Sequence, residues 1–223
     1  MSYDRRRFIG AALAASVAAC TTRSVAPPKA TLPPVPPAPP PLPAPATVAA
    51  APVQAEMPPL LAIALAALDT HGIAARDRLA LADFTLHSRE PRLHLVDVAG
   101  GRIEASWLVA HGSGSDPAHS GMLQRFSNLP GSNASSHGAY LTAQPYFGEH
   151  GRAQRLAGLD RSNDRAFERA IVLHGAAYVD PALIAAQGRI GRSQGCFAVG
   201  QGVVTEVMER LGEGRLIYAG KLA

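Results

Sequence analysis

The sequence predicts a mainly β fold with a few peripheral helices, gathered into one domain that begins near Leu60. Three observations point there. Short apolar runs recur beyond residue 78, and one of them alternates strictly with polar residues. A Gly-Gly pair at 100–101 joins two of these runs in the manner of a hairpin. Helical periodicity is confined to one segment at each end of the region.

Taken in order, Leu60, Leu61, Ile63, Leu65 and Leu68 ride an alanine-rich helix that Gly72 can terminate. Strands are expected at Leu79–Leu86 and Leu93–Val98. After the turn, Ile103, Ala105, Trp107 and Val109 alternate with Arg102, Glu104 and Ser106, which predicts a strand with one buried face. Further strands are expected at Ala139–Ala143, Ala170–Leu173 and Leu216–Ala219. Val203, Val204, Val207, Met208 and Leu211 mark an amphipathic helix near the end.

The preceding residues have a different grammar. Residues 1–19 are expected to be an export signal, because Arg5-Arg6-Arg7 stands directly before a short alanine-rich apolar segment. The Arg-Arg-x-Phe-Ile pattern resembles a twin-arginine signal, and an ordinary Sec signal is the other route. Val17-Ala18-Ala19-Cys20 resembles a bacterial lipobox, which would acylate Cys20 and make lipid the protein's one link to a membrane; cleavage nearby with release is the alternative. An exported, periplasmic location follows from either. Residues 20–59 read as a tether, since 14 of the 19 prolines lie between Pro27 and Pro59. Proline blocks helix and sheet ladders alike, and polyproline II rises about 3.1 Å per residue, so this stretch can reach on the order of 100 Å. A proline-rich ligand for a partner domain is the rival reading. The remaining residues 60–223 form the expected catalytic domain.

Composition removes several classes. With 223 residues the chain can bury a core unaided, and two cysteines are too few for a disulfide scaffold. The formal charge of +4 is spread without a basic stripe beyond Arg5–Arg7, so no nucleic-acid partner is expected. The longest N-terminal apolar run, Phe8 to Ala19, is shorter than the roughly 20 residues of a membrane helix. No zinc motif is present, and His111-Gly112-Ser113-Gly114 lacks the third glycine of a dinucleotide loop, so neither metal nor cofactor is expected. A monomer is expected.

Apart from Cys20, the single thiol is Cys196, within Gly191-Arg192-Ser193-Gln194-Gly195-Cys196. In an oxidising compartment a lone thiol is either buried and inert or kept for its reactivity. Its surroundings favour reactivity, because Gly195 permits close approach of a substrate and the turn presents successive amides to an oxyanion. A thiol attacking an amide needs a base of near-neutral pKa. His174 ends the apolar run Ala170–Leu173 and precedes Gly175, so a buried strand would carry its ring to the sheet edge.

These residues carry a resemblance. His174-Gly175 followed by Ser193-x-Gly195-Cys196 resembles the signature of the murein L,D-transpeptidase catalytic domain family, the YkuD-like enzymes, in its divergent branch. Val109-Ala110-His111-Gly112, Phe126-Ser127-Asn128, Gly131-Ser132-Asn133 and Ala170–Ala176 look like further family segments, in order, over roughly Leu79 to Val199. The resemblance implies a sandwich-like β-sheet domain and a cysteine transpeptidase acting on peptidoglycan stem peptides. Cys196 would attack the amide between the L-centre of the third stem residue and the terminal D-alanine. D-alanine would leave, and a thioester acyl-enzyme would remain for an amine of another stem. His174 would act as the base, Gly195 and Cys196 would offer oxyanion amides, and Ser193 would order the loop or orient the imidazole.

Substrate-binding candidates are His111, Asn128, Arg192, Gln194 and Gly175, with Ser135, Ser136 and Tyr140 as further polar groups. His111 heads a loop that either lines the cleft or turns the chain. Commoner members carry His before the Gly-Cys pair and Arg two residues after the Cys. Here Gln194 and Ala198 stand there, which leaves Arg192 or Arg189 to meet the substrate carboxylate. A hydrolase using the same Cys-His pair and a catalytically silent wall-binding lipoprotein are the alternatives.

Overall fold

The computed structural model describes residues 58–149 and 151–222; the expected signal, Cys20 and the tether up to Met57 lie outside them. Helix α1 (Leu60–Thr70) leads into β1 (Arg78–Asp83), β2 (Leu93–Asp97) and β3 (Arg102–Trp107). Strands β4 (Gly138–Gly148), β5 (Gly151–Gly158) and β6 (Val172–Ala176) follow, then α2 (Pro181–Gln187), β7 (Phe197–Gly200), α3 (Val204–Leu211) and β8 (Leu216–Gly220). The eight strands form one mixed sheet in the order β3-β2-β1-β8-β4-β5-β6-β7. The β1/β8 and β6/β7 pairs are parallel, and the others antiparallel.

Period-two alternation splits each strand between two cores. In β1, Ala80 and Ala82 enter the main cluster, whereas Leu79 and Leu81 enter a second one under α1. Helix α1 covers that second face with Leu60, Leu61, Ala64, Ala67 and Leu68, one stripe at helical spacing, and Gly72, at φ +58°, follows its C-cap His71. The main cluster joins residues of β2 and β3 at one sheet margin to Phe197 and Val199 of β7 at the other. The sheet therefore curls until its margins meet. Beyond β3 the chain completes the closure: Ala110 bridges Ala198, and Gly112 bridges Ser193. Helix α3 packs Val204, Val207, Met208 and Leu211 into the main cluster. Each such burial is worth about 1.5–3 kcal/mol.

The mainly β expectation holds, and the hairpin after Gly100-Gly101 pairs β2 with β3 as read. Three elements depart from expectation. The run at Ala170 does not begin a strand, because Ala170 takes φ +51°; β6 starts at Val172 and continues through His174 to Ala176. Strand β5 was not anticipated, since Arg152, Gln154 and Arg155 break its apolar pattern. Pairing with β4 and β6 makes it a strand, and the buried Gln154 Nε2 donates to the Ala143 and Gly212 carbonyls at 2.9 Å each. Helix α2 is the third departure: Asp180 caps its N-terminus and Gly188 its C-terminus, residue types suited to those positions.

Candidate active site

Leu173 and Phe197, paired in register on the parallel strands β6 and β7, both enter the main core. The alternate positions, His174 and Ala198, therefore face the other side of the sheet. Cys196 lies one residue before β7. Cys196 and His174 open on the same cavity, of about 1060 Å³, which Ser193, Gln194, Arg192, Gly175, Tyr178 and Arg169 also line. Local pairing of two short strands thus brings together residues 22 apart in sequence.

The loop before β7 is held from within. Ser193 Oγ donates to the Cys196 carbonyl at 2.8 Å and accepts from the Gly195 amide at 3.1 Å. From outside, the Ser193 amide donates to the His111 carbonyl at 2.9 Å and its carbonyl accepts from the Ser113 amide at 2.8 Å. Ser193 is therefore a clasp on the loop, one of its two expected roles. The same clasp corrects the reading of Gly195 as an oxyanion donor: its amide is already engaged. Gly195 is required for another reason, since its φ is +113° and a Cβ would stand 2.7 Å from the Ala134 carbonyl oxygen.

The Cys196 thiol is half-buried, and Sγ lies 3.6 Å from the Ala170 carbonyl oxygen. Burial pushes its pKa up, against the pull of the Val172 backbone and the Arg169 charge. Burial therefore favours the neutral thiol over the thiolate. His174 is buried, with Nδ1 3.0 Å from the Gly175 carbonyl oxygen. A proton on Nδ1 makes that bond, and Nε2 is then the basic nitrogen. Gly175 lines the cavity and supplies the acceptor; its own Cα has little room, since a Cβ would meet Val204 Cγ1 at 3.1 Å.

Gln194 is exposed on the cavity wall. Arg192 lines the wall too, with Nη1 donating to the Asp116 and Pro117 carbonyls. Other expectations are corrected. His111 is fully buried away from the cavity; it accepts from Arg92 Nη2 at Nδ1, 2.7 Å, and donates from Nε2 to Asp116 Oδ2, 3.3 Å. It braces the loop. Asn128 does not line the cavity either, because its Nδ2 donates to the Arg161 carbonyl and to Asp164 Oδ1 at 3.1 and 2.7 Å. Arg189 binds the nearby Gln187 carbonyl. Ser135, Ser136 and Tyr140 are buried in loop contacts: Ser135 Oγ accepts from the Gly112 amide, Ser136 Oγ donates to Ser127, and the Tyr140 hydroxyl donates to the Ser136 carbonyl.

Sequence reasoning missed Arg169 and Tyr178. Arg169 sits in the mixed-charge run 160–169, which reads as a solvated loop, and nothing in the pattern marks it. Among the described residues no cluster of three or more His, Cys, Asp or Glu side chains is arranged to hold a metal ion.

A family model described as the L,D-transpeptidase catalytic domain matches residues 57–219. No curated protein matches the sequence. Among solved structures, an L,D-transpeptidase from Mycobacterium smegmatis aligns at 12% identity with a TM-score of 0.38, covering 65% of this chain and 58% of that one. One from Mycobacterium tuberculosis aligns at 12% and 0.41, covering 65% and 57%. One from Xylanimonas cellulosilytica aligns at 15% and 0.37, covering 70% and 68%. The chain thus spans less than two thirds of the length of the mycobacterial proteins.

Proposed function

The chain belongs to the L,D-transpeptidase catalytic domain family, and from that premise we propose that it is a cysteine transpeptidase of peptidoglycan stem peptides. The observation that carries this reading is the shared cavity: the half-buried Cys196 thiol, one residue before β7, and the His174 imidazole on the adjacent β6 line one chamber large enough for a peptide.

In the proposed reaction His174 Nε2 takes the thiol proton, and Sγ attacks the carbonyl carbon of the amide that precedes the terminal D-alanine. The tetrahedral oxyanion collapses, the proton passes from His174 to the leaving amine, and D-alanine departs. A thioester on Cys196 remains. An amine of a second stem then replaces sulfur at the acyl carbon, giving a cross-link and returning the thiol. With the Gly195 amide engaged by Ser193, the Cys196 amide is the one of the two expected oxyanion donors left to the reaction. Gln194 and Arg192 offer polar groups to the bound stem from the cavity wall. We place the protein outside the cytoplasm, with residues 1–19 as the export signal, Cys20 as the lipidated residue, residues 20–59 as the spacer and residues 60–223 as the catalytic unit.

The test is to incubate the protein with tetrapeptide-bearing muropeptides and analyse the products by mass spectrometry. D-alanine loss with dimeric product is expected, together with a covalent carbapenem adduct on the peptide containing Cys196. Trimmed peptide without dimer would make the site a hydrolase. Neither product nor adduct would leave a silent binding protein. Cys196→Ala is expected to abolish both product and adduct while the far-ultraviolet circular dichroism stays unchanged, and activity surviving it would remove the thiol from the mechanism.

A further inference from the structure

Arg169 lies outside every motif of the sequence, yet three acceptors fix its guanidinium. Nη1 donates to the Ser127 carbonyl at 2.9 Å and to Ser136 Oγ at 2.5 Å, and Nη2 donates to the Ala134 carbonyl at 2.5 Å. That anchored group presses on the nucleophile's loop: a Cβ built on Gly195 would stand 2.9 Å from Arg169 Nη2. The next residue, Ala170, takes φ +51°, a conformation that residues with a side chain seldom adopt. Its carbonyl is the one 3.6 Å from Cys196 Sγ. Two consecutive residues before β6 therefore meet the thiol and its loop, one with a fixed positive charge and one with a carbonyl oxygen.

These two groups favour different protonation states. A carbonyl accepts from S–H and repels a thiolate; a guanidinium attracts the thiolate. We propose that Arg169 is a positioning residue of the reaction, its fixed charge stabilising the Cys196 thiolate once His174 has taken the proton, while the Ala170 carbonyl holds the resting thiol protonated. The S–H bond breaks, the proton goes to His174 Nε2, and the electron pair stays on sulfur. No oxidant or reductant enters. This deepens the function proposed above and rests on its choice of Cys196 as nucleophile.

The other charged and titratable groups around the thiol leave this role to Arg169. His174 comes from β6 as the base. Tyr178, just beyond β6, has its phenol pushed up to about 12 by burial and by the neighbouring Cys196, so it stays neutral. Arg192 on the loop before Cys196 gives Nη1 to the Asp116 and Pro117 carbonyls, and Glu149 and Glu168 bring negative charge to the cavity wall. Arg169 is the cation whose charge works against the effect of burial on Cys196.

The experiment is the pH dependence of Cys196 alkylation by iodoacetamide, read on the peptide containing Cys196 by mass spectrometry. Arg169→Met is expected to raise the midpoint by about one pH unit and slow alkylation at pH 7 by about tenfold. Arg169→Lys, which keeps the charge, is expected to hold the midpoint within about a third of a unit of wild type. Ser136→Ala removes one anchor without touching the charge; it should lower the melting temperature and leave the midpoint in place. A wild-type midpoint in Arg169→Met, or a rise in Ser136→Ala as large as that in Arg169→Met, would reduce Arg169 to a clamp. Should Arg169→Met not fold, Arg169→Lys decides: an unmoved midpoint supports the proposal, and a rise of a unit or more overturns it. Alkylation reads the thiol whether or not the enzyme turns over. A Cys196 dispensable for cross-linking would therefore sink the functional reading without altering this result.

Discussion

At the scale of single residues, His111 makes the clearest statement about pH. Burial first, and then the Arg92 guanidinium 2.7 Å from Nδ1, pull its pKa down to about 4 from the ordinary 6.5. Arg92 is itself buried, and its pKa is held down to about 9 by that burial. Asp116 completes the row; burial opposes its ionisation, but the Ser120 and Gly121 amides and the Ser120 hydroxyl outweigh burial and hold its carboxyl below the usual range. Between pH 6.5 and 4 the unfolded chain binds a proton at His111 that the folded chain refuses, so stability is full above pH 6.5 and declines as pH falls toward 4. The ceiling on this loss is about 3 kcal/mol. Urea midpoints measured from pH 7 to pH 4 should show the decline, and His111→Asn should flatten it while costing about 1–2 kcal/mol at pH 7. An equally steep decline in that variant would place the acid sensitivity elsewhere. The sequence marked His111 as a loop head with two possible uses. Only the partners at 2.7 and 3.3 Å, contributed by residues 19 and 5 positions away, decide that it braces the loop rather than touches substrate.

At the scale of elements, the pairing of β6 with β7 explains why so much of the site was legible. His174 and Cys196 were read from their local contexts, and two adjacent parallel strands suffice to set them on one cavity. Whatever arrives from distant segments left no local mark. Strand β5 depends on its neighbours rather than on its own pattern, and Arg169 finds its acceptors on residues 127, 134 and 136. The same register rules on Ala198, where commoner family members carry arginine. Ala198 is fully buried among Ala110, Ala176, Val179 and Ile190. Ala198→Arg is expected to destabilise the domain by at least about 3 kcal/mol, since it would bury an unpaired charge in a pocket sized for methyl groups. Thermal melting checks this, and a wild-type melting temperature would mean that the β7 face can open.

At the scale of the whole molecule, the fold class was legible because the residues of β1, β2, β4 and β8 alternate between two buried faces. The curl of the sheet was not, because it rests on Ala110 meeting Ala198 and Gly112 meeting Ser193, each pair more than 80 positions apart. Strand order carries a further consequence, for the time course of folding. The last strand in the chain, β8, lies in the middle of the sheet, where Leu79 pairs with Leu216 on one side and Ala139 with Tyr218 on the other. Before it arrives, β3-β2-β1 and β4-β5-β6-β7 are two partial sheets, and the second already contains His174 and Cys196. Contacts this distant in sequence fold slowly, and a protein made from its N-terminus cannot close them until β8 has been synthesised. A chain ending at Gly214 should keep every residue of the proposed chemistry yet lose cooperative unfolding and become sensitive to protease. Its survival as a protease-resistant unit would show that the half-sheet carrying the cysteine folds by itself. Otherwise β8, the last strand of the sheet to be synthesised, is the keystone that locks its two halves together.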